Sequence, residues 1–370
     1  MTFQRGHDLP KSEFVHGKYP IAGSNGIIGY HDAFTTTGPS ITLGRSGSLG
    51  TPYFYKDDFW AHNTTLYVKE FHNSDPKFIY YLLKTIDFTQ FNSGSAVPSL
   101  NRNYIHPLEV YVPETIEAQR RIADILSVLD DKIKLNHQTN ATLEAIAQTI
   151  FKEWFVDFNF PGATGEMVKS ELGMIPRGWM IRSLYDSATY INGAAYRTIA
   201  FSPDMSGLPI IKINELKYGI TLQTNFTNEK LEPKYKINSG EILLSWSGSP
   251  DTSLDTFVWS GGPAWLNQHI FKVIPHGESE THFIYYLLRH LMPTLIEIAR
   301  DKQTTGLGHI TVQDMKRMQV LYPPGLVMQT FSERVAPLYD RIFNNDLESL
   351  PLVVLRDMLL PKLMGGEIDV

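Results

Sequence analysis

Arginine, asparagine, glutamine and histidine recur beside Ser-Gly-Ser turns in this 370-residue chain. Arg45-Ser46-Gly47-Ser48 answers Trp246-Ser247-Gly248-Ser249, and His62-Asn63-Thr64 answers Asn267-Gln268-His269. Arginine offers a planar fork of donors, and an amide side chain sets a donor beside an acceptor. Such groups read base edges, while small hydroxyls approach phosphates. Two Gly/Ser/Thr loops add Ser95, Asn101 and Arg102 in one half against Thr304, Thr305 and His309 in the other. Ser24-Asn25-Gly26 and Tyr196-Arg197 lie on further turns. For lobes that contact nucleic acid, a role the resemblance noted below implies, the expected contact residues are Ser24, Asn25, Arg45, Ser46, Ser48, Asn63, Ser95, Asn101 and Arg102 in the first half. In the second they are Tyr196, Arg197, Trp246, Ser247, Ser249, Asn267, Gln268, His269, Thr304, Thr305 and His309. The plainer reading makes Ser-Gly-Ser a hairpin turn and the Asn and His residues caps or surface groups.

Catalytic patterns are sparse. Pro203-Asp204 followed by Glu215-Leu216-Lys217 fits a loose nuclease pattern in which an acidic pair holds Mg²⁺ and the lysine helps activate water. Short patterns of this kind arise often by chance. There is no Gly-x4-Gly-Lys-Ser/Thr phosphate loop and no Asn-Pro-Pro-Tyr/Phe tetrapeptide. The histidines lack metal-ligand spacing, and the absence of cysteine excludes thiolate metal sites and disulfides. That absence suits a reducing cytoplasm. No apolar run reaches membrane-spanning length.

The elements that must position these residues come in two copies. Phe78-Ile79-Tyr80-Tyr81-Leu82-Leu83 returns as Phe283-Ile284-Tyr285-Tyr286-Leu287-Leu288. Gln119 answers Gln329, and Asp130 answers Asp340. A period this long means a duplicated domain rather than a solenoid. Four segments are expected: a recognition lobe at 1–113, a connector helix at 114–160, a second lobe at 161–323 and a second connector at 324–370. The formal charge of −6 resides in the connectors. The lobes carry nine basic against nine acidic and fifteen against fifteen side chains, the connectors five against eight and four against seven. A neutral lobe can still present a basic face.

Each lobe reads as α+β, with a twisted, mostly antiparallel sheet, a short aromatic helix, and a closing strand at Leu108 to Pro113 or Met318 to Pro323. The connectors show a 3.5-residue seam, through Ile122, Leu126, Ile133, Asn136, Asn140, Ala147 and Trp154 in one. In the other it runs through Phe331, Val335, Ile342, Asn345, Ser349, Arg356 and Leu363. Asn136/Asn140 and Asn345/Ser349 occupy the same central layers, so antiparallel packing brings polar centre to polar centre and sets register. Pro337, Pro351 and Pro361 should kink or shorten the second helix. Lobe one begins at Phe3-Gln4-Arg5-Gly6, matching Tyr190-Ile191-Asn192-Gly193. It lacks a counterpart of residues 171–189, as if trimmed or started inside the repeat.

Leu172-Gly173-x-Ile175-Pro176-x-Gly178-Trp179 resembles the opening of a target-recognition domain. Phe151-Lys152-x-Trp154-Phe155-Val156-Asp157-Phe158 and Leu359-Leu360-Pro361-Lys362-Leu363 resemble the ends of its connector helices. The whole chain, minus the start of lobe one, is similar to the specificity subunit of type I restriction–modification systems. The resemblance implies a non-catalytic subunit whose lobes each read half of a split site in double-stranded DNA. It implies helices that set the spacing and dock two methyltransferase subunits, with restriction/translocase subunits joining the complex. S-adenosylmethionine, ATP and Mg²⁺ would then serve those partners, and this chain would hold no cofactor. The competing readings are a scaffold whose lobes bind protein or polysaccharide, and a self-sufficient nuclease.

Overall fold

The computed structural model describes residues 1–93, 98–196, 200–303 and 307–370. They form two compact units, Met1–Ile133 with Leu352–Val370, and Lys134–Pro351.

Short runs rich in β-branched and aromatic residues form the sheets of the first unit. Four strands pair antiparallel in the order Thr2–Arg5, Thr65–Glu70, Ser40–Gly44, Pro52–Tyr55. A second sheet joins Gly26–His31, Tyr19–Gly23 and Trp60–Ala61, the last two parallel. The second unit repeats this plan. Thr189–Asn192, Ile270–Ile274, Ile242–Ser245 and Asp255–Val258 take the same antiparallel order. Leu208–Ile211 runs parallel to Ala264–Leu266, as Tyr19–Gly23 does to Trp60–Ala61. The duplication is one of topology as well as of sequence.

The repeated hexamer is helical in both units. Asp75 caps Pro76–Lys84 through bonds from the Lys77 and Phe78 amides, and Pro76 sits where a missing donor costs nothing. Phe78, Ile79, Leu82 and Leu83 fall on one helical face and are buried. The counterpart, Thr281–Asp301, is longer than its hexamer suggests and continues through Pro293.

The two connector helices, Ile116–Phe155 and Gly325–Met364, are 40 residues each. At 1.5 Å per residue each is about 60 Å long. In the first unit the start of one helix (Ile122, Ala123, Leu126) and the end of the other (Leu363, Met364) share a core with Phe78. In the second unit the roles exchange: Phe151, Trp154 and Phe155 pack with Met328, Phe331 and Val335 around Phe283. Ring centroids lie 4.8 Å apart for Phe155–Phe331 and 5.9 Å apart for Phe151–Phe283. Within each unit the two helices run antiparallel.

The polar layer falls inside the second unit. Asn136, only 2% exposed, places Nδ2 3.1 Å from Ser349 Oγ and 3.3 Å from the Asn345 carbonyl. Asn345 Nδ2 donates to Asn140 Oδ1 at 2.7 Å, and Asn140 Nδ2 to Asp346 Oδ1 at 2.8 Å. Nearly every buried polar atom of the layer finds a partner, as a low-dielectric interior requires.

Two expectations fail. The second helix is unbroken through Pro337, Pro351 and Pro361. All three prolines, and the residues four positions before them (Glu333, Leu347, Asp357), are exposed, so water can serve each carbonyl that loses its partner. The closing strand of lobe two exists as Gln319–Tyr322, paired with Met180–Ser183. Its expected equal in lobe one, Leu108 to Pro113, is not a strand. A strand needs a neighbour to take its amides and carbonyls, and among the described residues no strand pairs with Leu108–Val112.

Two carboxylates on these helices should respond oppositely to pH. Burial alone would raise the Asp130 pKa. Bonds from Arg356 (2.8 Å) and Tyr81 (3.0 Å), with Lys84 at 3.4 Å, more than offset that and hold it below the usual range. Its contribution is present above the unfolded pKa of about 3.9 and fades as pH falls through the lowered folded value. Asp130→Asn should lower stability by about 1.5–3 kcal/mol at pH 7, and by much less near pH 3. Asp346 is raised by burial, against the opposing influence of His137 and the Asn140 bond. Its folded-state advantage exists only at low pH and is lost as pH rises through the folded pKa. Asp346→Asn, which keeps an acceptor for Asn140, should therefore raise the urea midpoint at pH 7 and not at pH 3. An unchanged midpoint at pH 7 would refute this assignment.

Candidate nucleic-acid interface

In lobe one the strand Thr2–Arg5 ends at a cleft of about 740 Å³ lined by Gln4, Arg5, His7, Arg45, Ser93 and the Ser99–Asn103 turn, with Leu66 at its floor. Backbone bonds build its walls. The Leu100 amide donates to the Arg45 carbonyl at 2.8 Å, the Gly47 amide to the Pro98 carbonyl at 3.1 Å, and the Arg45 amide to the Thr64 carbonyl at 2.8 Å. Asn101 caps the short helix Arg102–Ile105 through the Asn103 amide at 3.0 Å. Gly6 lets strand and turn meet, because a Cβ there would lie 2.1 Å from the His62 carbonyl oxygen.

Donors dominate the cleft. Arg45 Nη1 rests 3.4 Å from the Asn63 carbonyl, and among the described residues neither Arg45 nor Arg102 joins an ion pair. Arg5 pairs with Asp8 at 3.0 Å. The Asn63 amide also bonds Asp8 and, ahead of Arg5, holds that carboxyl below its ordinary range. Cations left without an ion-pair partner in a concave wall attract anions and acceptor-rich edges.

Lobe two builds the same frame around other side chains. The Ile310 amide donates to the Trp246 carbonyl at 2.9 Å, Ser247 pairs with His309, and Thr311 caps Val312–Arg317. Gly193 repeats Gly6, with its hypothetical Cβ 2.2 Å from the Asn267 carbonyl oxygen. Where lobe one has Arg5 and Arg45, lobe two has Asn192 and Trp246, and the indole Nε1 donates to Asn192 Oδ1 at 2.9 Å. The indole stacks on Phe271 at 5.6 Å and leans on His269 at 5.8 Å. Gln268 Nε2 lies 3.2 Å from His269 Nε2, and Asn267 Oδ1 accepts from the His269 amide at 3.3 Å. One lobe offers guanidinium donors and the other a flat ring edged by amides.

The expected residues divide accordingly. Arg45, Asn101 and Arg102 meet in the first cleft, with Ser46 and Asn63 beside it. Trp246, Ser247, Asn267, Gln268, His269 and His309 gather on the matching face of lobe two. Asn25 and Ser48 are exposed but outside the cleft lining, and Ser249 opens the short helix Pro250–Ser253. Ser95, Arg197, Thr304 and Thr305 lie outside the described residues.

Two candidates are corrected. Ser24 Oγ lies 2.7 Å from both the Ser46 and Thr64 carbonyls, so its hydroxyl is committed to holding the turn. Tyr196 is 9% exposed, packs with Ile210 and Trp265, and donates its hydroxyl to the Leu266 carbonyl at 2.7 Å. Burial pushes its phenol pKa up. It is a core residue. Gln4, Arg5, His7, Asn103 and Asn192 were missed. Their signal was the match of Phe3-Gln4-Arg5-Gly6 to Tyr190-Ile191-Asn192-Gly193, which marks the strand end but not what it faces.

The nuclease pattern dissolves. Glu215 is 4% exposed on the helix Ile213–Tyr218, accepting from the Lys212 amide at 3.0 Å and the Thr224 hydroxyl at 3.1 Å. Asp204 instead accepts from Ser206. Among the described residues no cluster of three His, Asp or Glu could hold a metal, and no helix is long and apolar enough to cross a membrane.

A family model described as the type I restriction modification DNA specificity domain matches residues 5–145 and 176–342. The chain belongs to that family. It is 31% identical over 307 residues to the type I restriction enzyme MjaIX specificity subunit of Methanocaldococcus jannaschii, covering 80% of this chain and 69% of that one. It is 23% identical over 358 residues to the HindI specificity subunit of Haemophilus influenzae, covering 79% and 77%. The fold is similar to that of the type I restriction-modification S subunit from M. genitalium, with a TM-score of 0.60 over 98% of this chain and 92% of that one, at 17% identity. As a member of this family the chain is a specificity subunit, recognising rather than catalysing.

Removing the Ser24 hydroxyl should expose the difference between a pinned and a free polar group. Ser24→Ala should lower unfolding free energy by about 1 kcal/mol, while Asn25→Ala on the same turn should change it by less than half as much. Urea melts with equal slopes decide it, and equal midpoints for the two variants would return Ser24 to the contact set.

Proposed function

We propose that the lobe-one cleft and the matching Trp246 face of lobe two contact the halves of a split site in double-stranded DNA. The observation that carries this is the shared frame with unlike fillings. The same backbone bonds, Leu100 to Arg45 and Ile310 to Trp246, present guanidinium donors in one lobe and an indole with amides in the other. Two readers of one design and different chemistry suit two different half-sites. Arg45, Arg102 and Arg5 are matched to guanine edges or phosphates, and Asn192, Asn267 and Gln268 to adenine. In this reading Asn136, Asn140, Asn345 and Ser349 fix the helix register and hence the gap between half-sites. The helices dock two methyltransferase subunits, and restriction/translocase subunits complete the assembly in the cytoplasm. S-adenosylmethionine, ATP and Mg²⁺ act in those partners. The acidic excess of the helices keeps them from competing for DNA.

Binding to duplex DNA should weaken steeply with salt, since each phosphate contact releases counterions. Arg45→Ala and Arg102→Ala should each reduce the log–log salt slope by about one if they touch phosphate, or relax preference at one base pair if they read an edge. Fluorescence anisotropy across a salt series separates these outcomes. Salt-insensitive affinity would instead favour a scaffold that binds protein or polysaccharide.

The register role has its own test. Deleting one heptad from each helix removes about 10 Å of rise, equivalent to about three base pairs at 3.4 Å each. Mapping of methylated adenines after co-expression with the methyltransferase should show a gap changed by that amount. An unchanged gap would separate the helices from the spacing.

A further inference from the structure

Charge and shape define the ligand of the lobe-one cleft more closely. Three arginines, Arg5, Arg45 and Arg102, line its volume of about 740 Å³, and no aspartate or glutamate among the described residues does, in a chain of formal charge −6. Asp8 pairs with Arg5 from outside the lining. Arg45 makes one long bond, 3.4 Å to the Asn63 carbonyl, and the exposed Arg102 guanidinium bonds none of the described residues. Like charges gathered on one wall repel each other and weaken the folded state, and a bound anion removes that repulsion.

None of these cations belongs to the frame. Lobe two keeps the frame, with the Ile310 amide on the Trp246 carbonyl and Thr311 capping Val312–Arg317 as Asn101 caps Arg102–Ile105. At the positions of Arg5, Arg45 and Arg102 it carries Asn192, Trp246 and Val312, all uncharged. The arginines are an addition peculiar to lobe one, and the packing of the frame does not call for them. Shape then decides between the two acceptor-rich parts of a duplex. Base edges lie at the floor of a major groove about 8.5 Å deep, reached by an element that stands out from a protein surface. A hollow fits the opposite relief, the sugar–phosphate ridge, and guanidinium forks match phosphate oxygens there.

We propose that the lobe-one cleft seats the phosphodiester backbone of one DNA strand, with Arg45 and Arg102 as its phosphate contacts, and that these two arginines carry no base preference. The assignment rests on the DNA reading above and commits its arginines to one of the two roles open to them. Phosphate contacts fix position and orientation on a duplex without reading its sequence. Ser24 ties its hairpin turn to the Ser46 carbonyl at 2.7 Å, so Asn25 stands exposed beside the cleft wall. Base edges flanking the seated strand are left to side chains of that kind, outside the hollow.

The test uses the full chain with two probes, inorganic pyrophosphate and a pair of duplexes, one of A·T pairs only and one of G·C pairs only. Calorimetry should show pyrophosphate binding that Arg102→Ala weakens about tenfold, the worth of one hydrogen bond to a charged group. Arg102→Lys, which restores the charge without the fork, should recover part of the loss, and Asn25→Ala should leave the affinity unchanged. Arg102 is exposed, so its replacement does not threaten the fold. In anisotropy Arg102→Ala and Arg45→Ala should weaken both duplexes by the same factor. A loss confined to the G·C duplex overturns the proposal, because it marks a guanine edge. Pyrophosphate affinity indifferent to both substitutions also overturns it. So does pyrophosphate binding that needs Arg102 while duplex affinity does not, which would make the cleft a site for free phosphate compounds. Failure of the DNA reading itself looks different: neither duplex binds the unsubstituted chain, and the backbone assignment falls with it.

Discussion

Everything in the molecule depends on how the ends of two long helices enter the cores of the α+β lobes. In each unit the start of one helix and the end of the other bury apolar side chains against the repeated aromatic helix, Ile122 and Leu126 with Leu363 around Phe78, or Phe331 and Val335 with Phe151 around Phe283. Neither helix could hold its length alone, since isolated helices gain little from propensity and their apolar face must be covered. Large buried aromatics make this anchoring costly to undo, because truncating one leaves both a transfer loss and a cavity.

The polar layer refines what the apolar ends establish. Asn136, Asn140, Asn345 and Ser349, with Asp346, form a network of bonds in which a one-heptad slip would leave buried amides without partners. Leaving such groups unsatisfied costs more than the bonds contribute when made. Apolar seam residues would tolerate that slip far better. The layer therefore selects among alignments rather than supplying most of the binding energy, and Asp346 shows that its burial carries an electrostatic cost.

How much could be read beforehand follows from how local each feature is. Seam spacing and the doubled asparagine layers are periodic, so they survive without knowledge of the fold. The aromatic helices carry their own start signal at Asp75-Pro76. Proline was over-weighted: at Pro337, Pro351 and Pro361 the helix loses one donor on its wet side, which tertiary packing elsewhere easily offsets. The strand at Leu108–Val112 was over-read because its residues suit a strand, whereas pairing is decided by a neighbour far away in sequence. Tyr196 was misassigned for the same reason. A tyrosine on a Gly/Ala turn looks exposed until Trp265 and Ile210 close over it. Arg5's place in the cleft comes from the strand end meeting Arg45 and the Asn101 turn, a meeting set by sheet order that local sequence does not reveal.

One backbone frame carries unlike side chains in the two lobes. The bonds that position Arg45 and Trp246 are backbone bonds from Leu100 and Ile310, and the close approaches at Gly6 and Gly193 are backbone contacts. None depends on which side chain occupies the presenting position. The arginine there makes one long bond, to the Asn63 carbonyl, and no ion pair among the described residues, whereas the indole is fixed by Asn192 and Phe271 into a rigid plane. The first arrangement keeps side-chain entropy that binding must remove, and the second has already lost it on folding. The same frame therefore presents a guanidinium in one lobe and a fixed flat indole in the other. On binding any ligand the indole face would lose less conformational freedom, while the guanidinium would contribute charge that ionic strength screens.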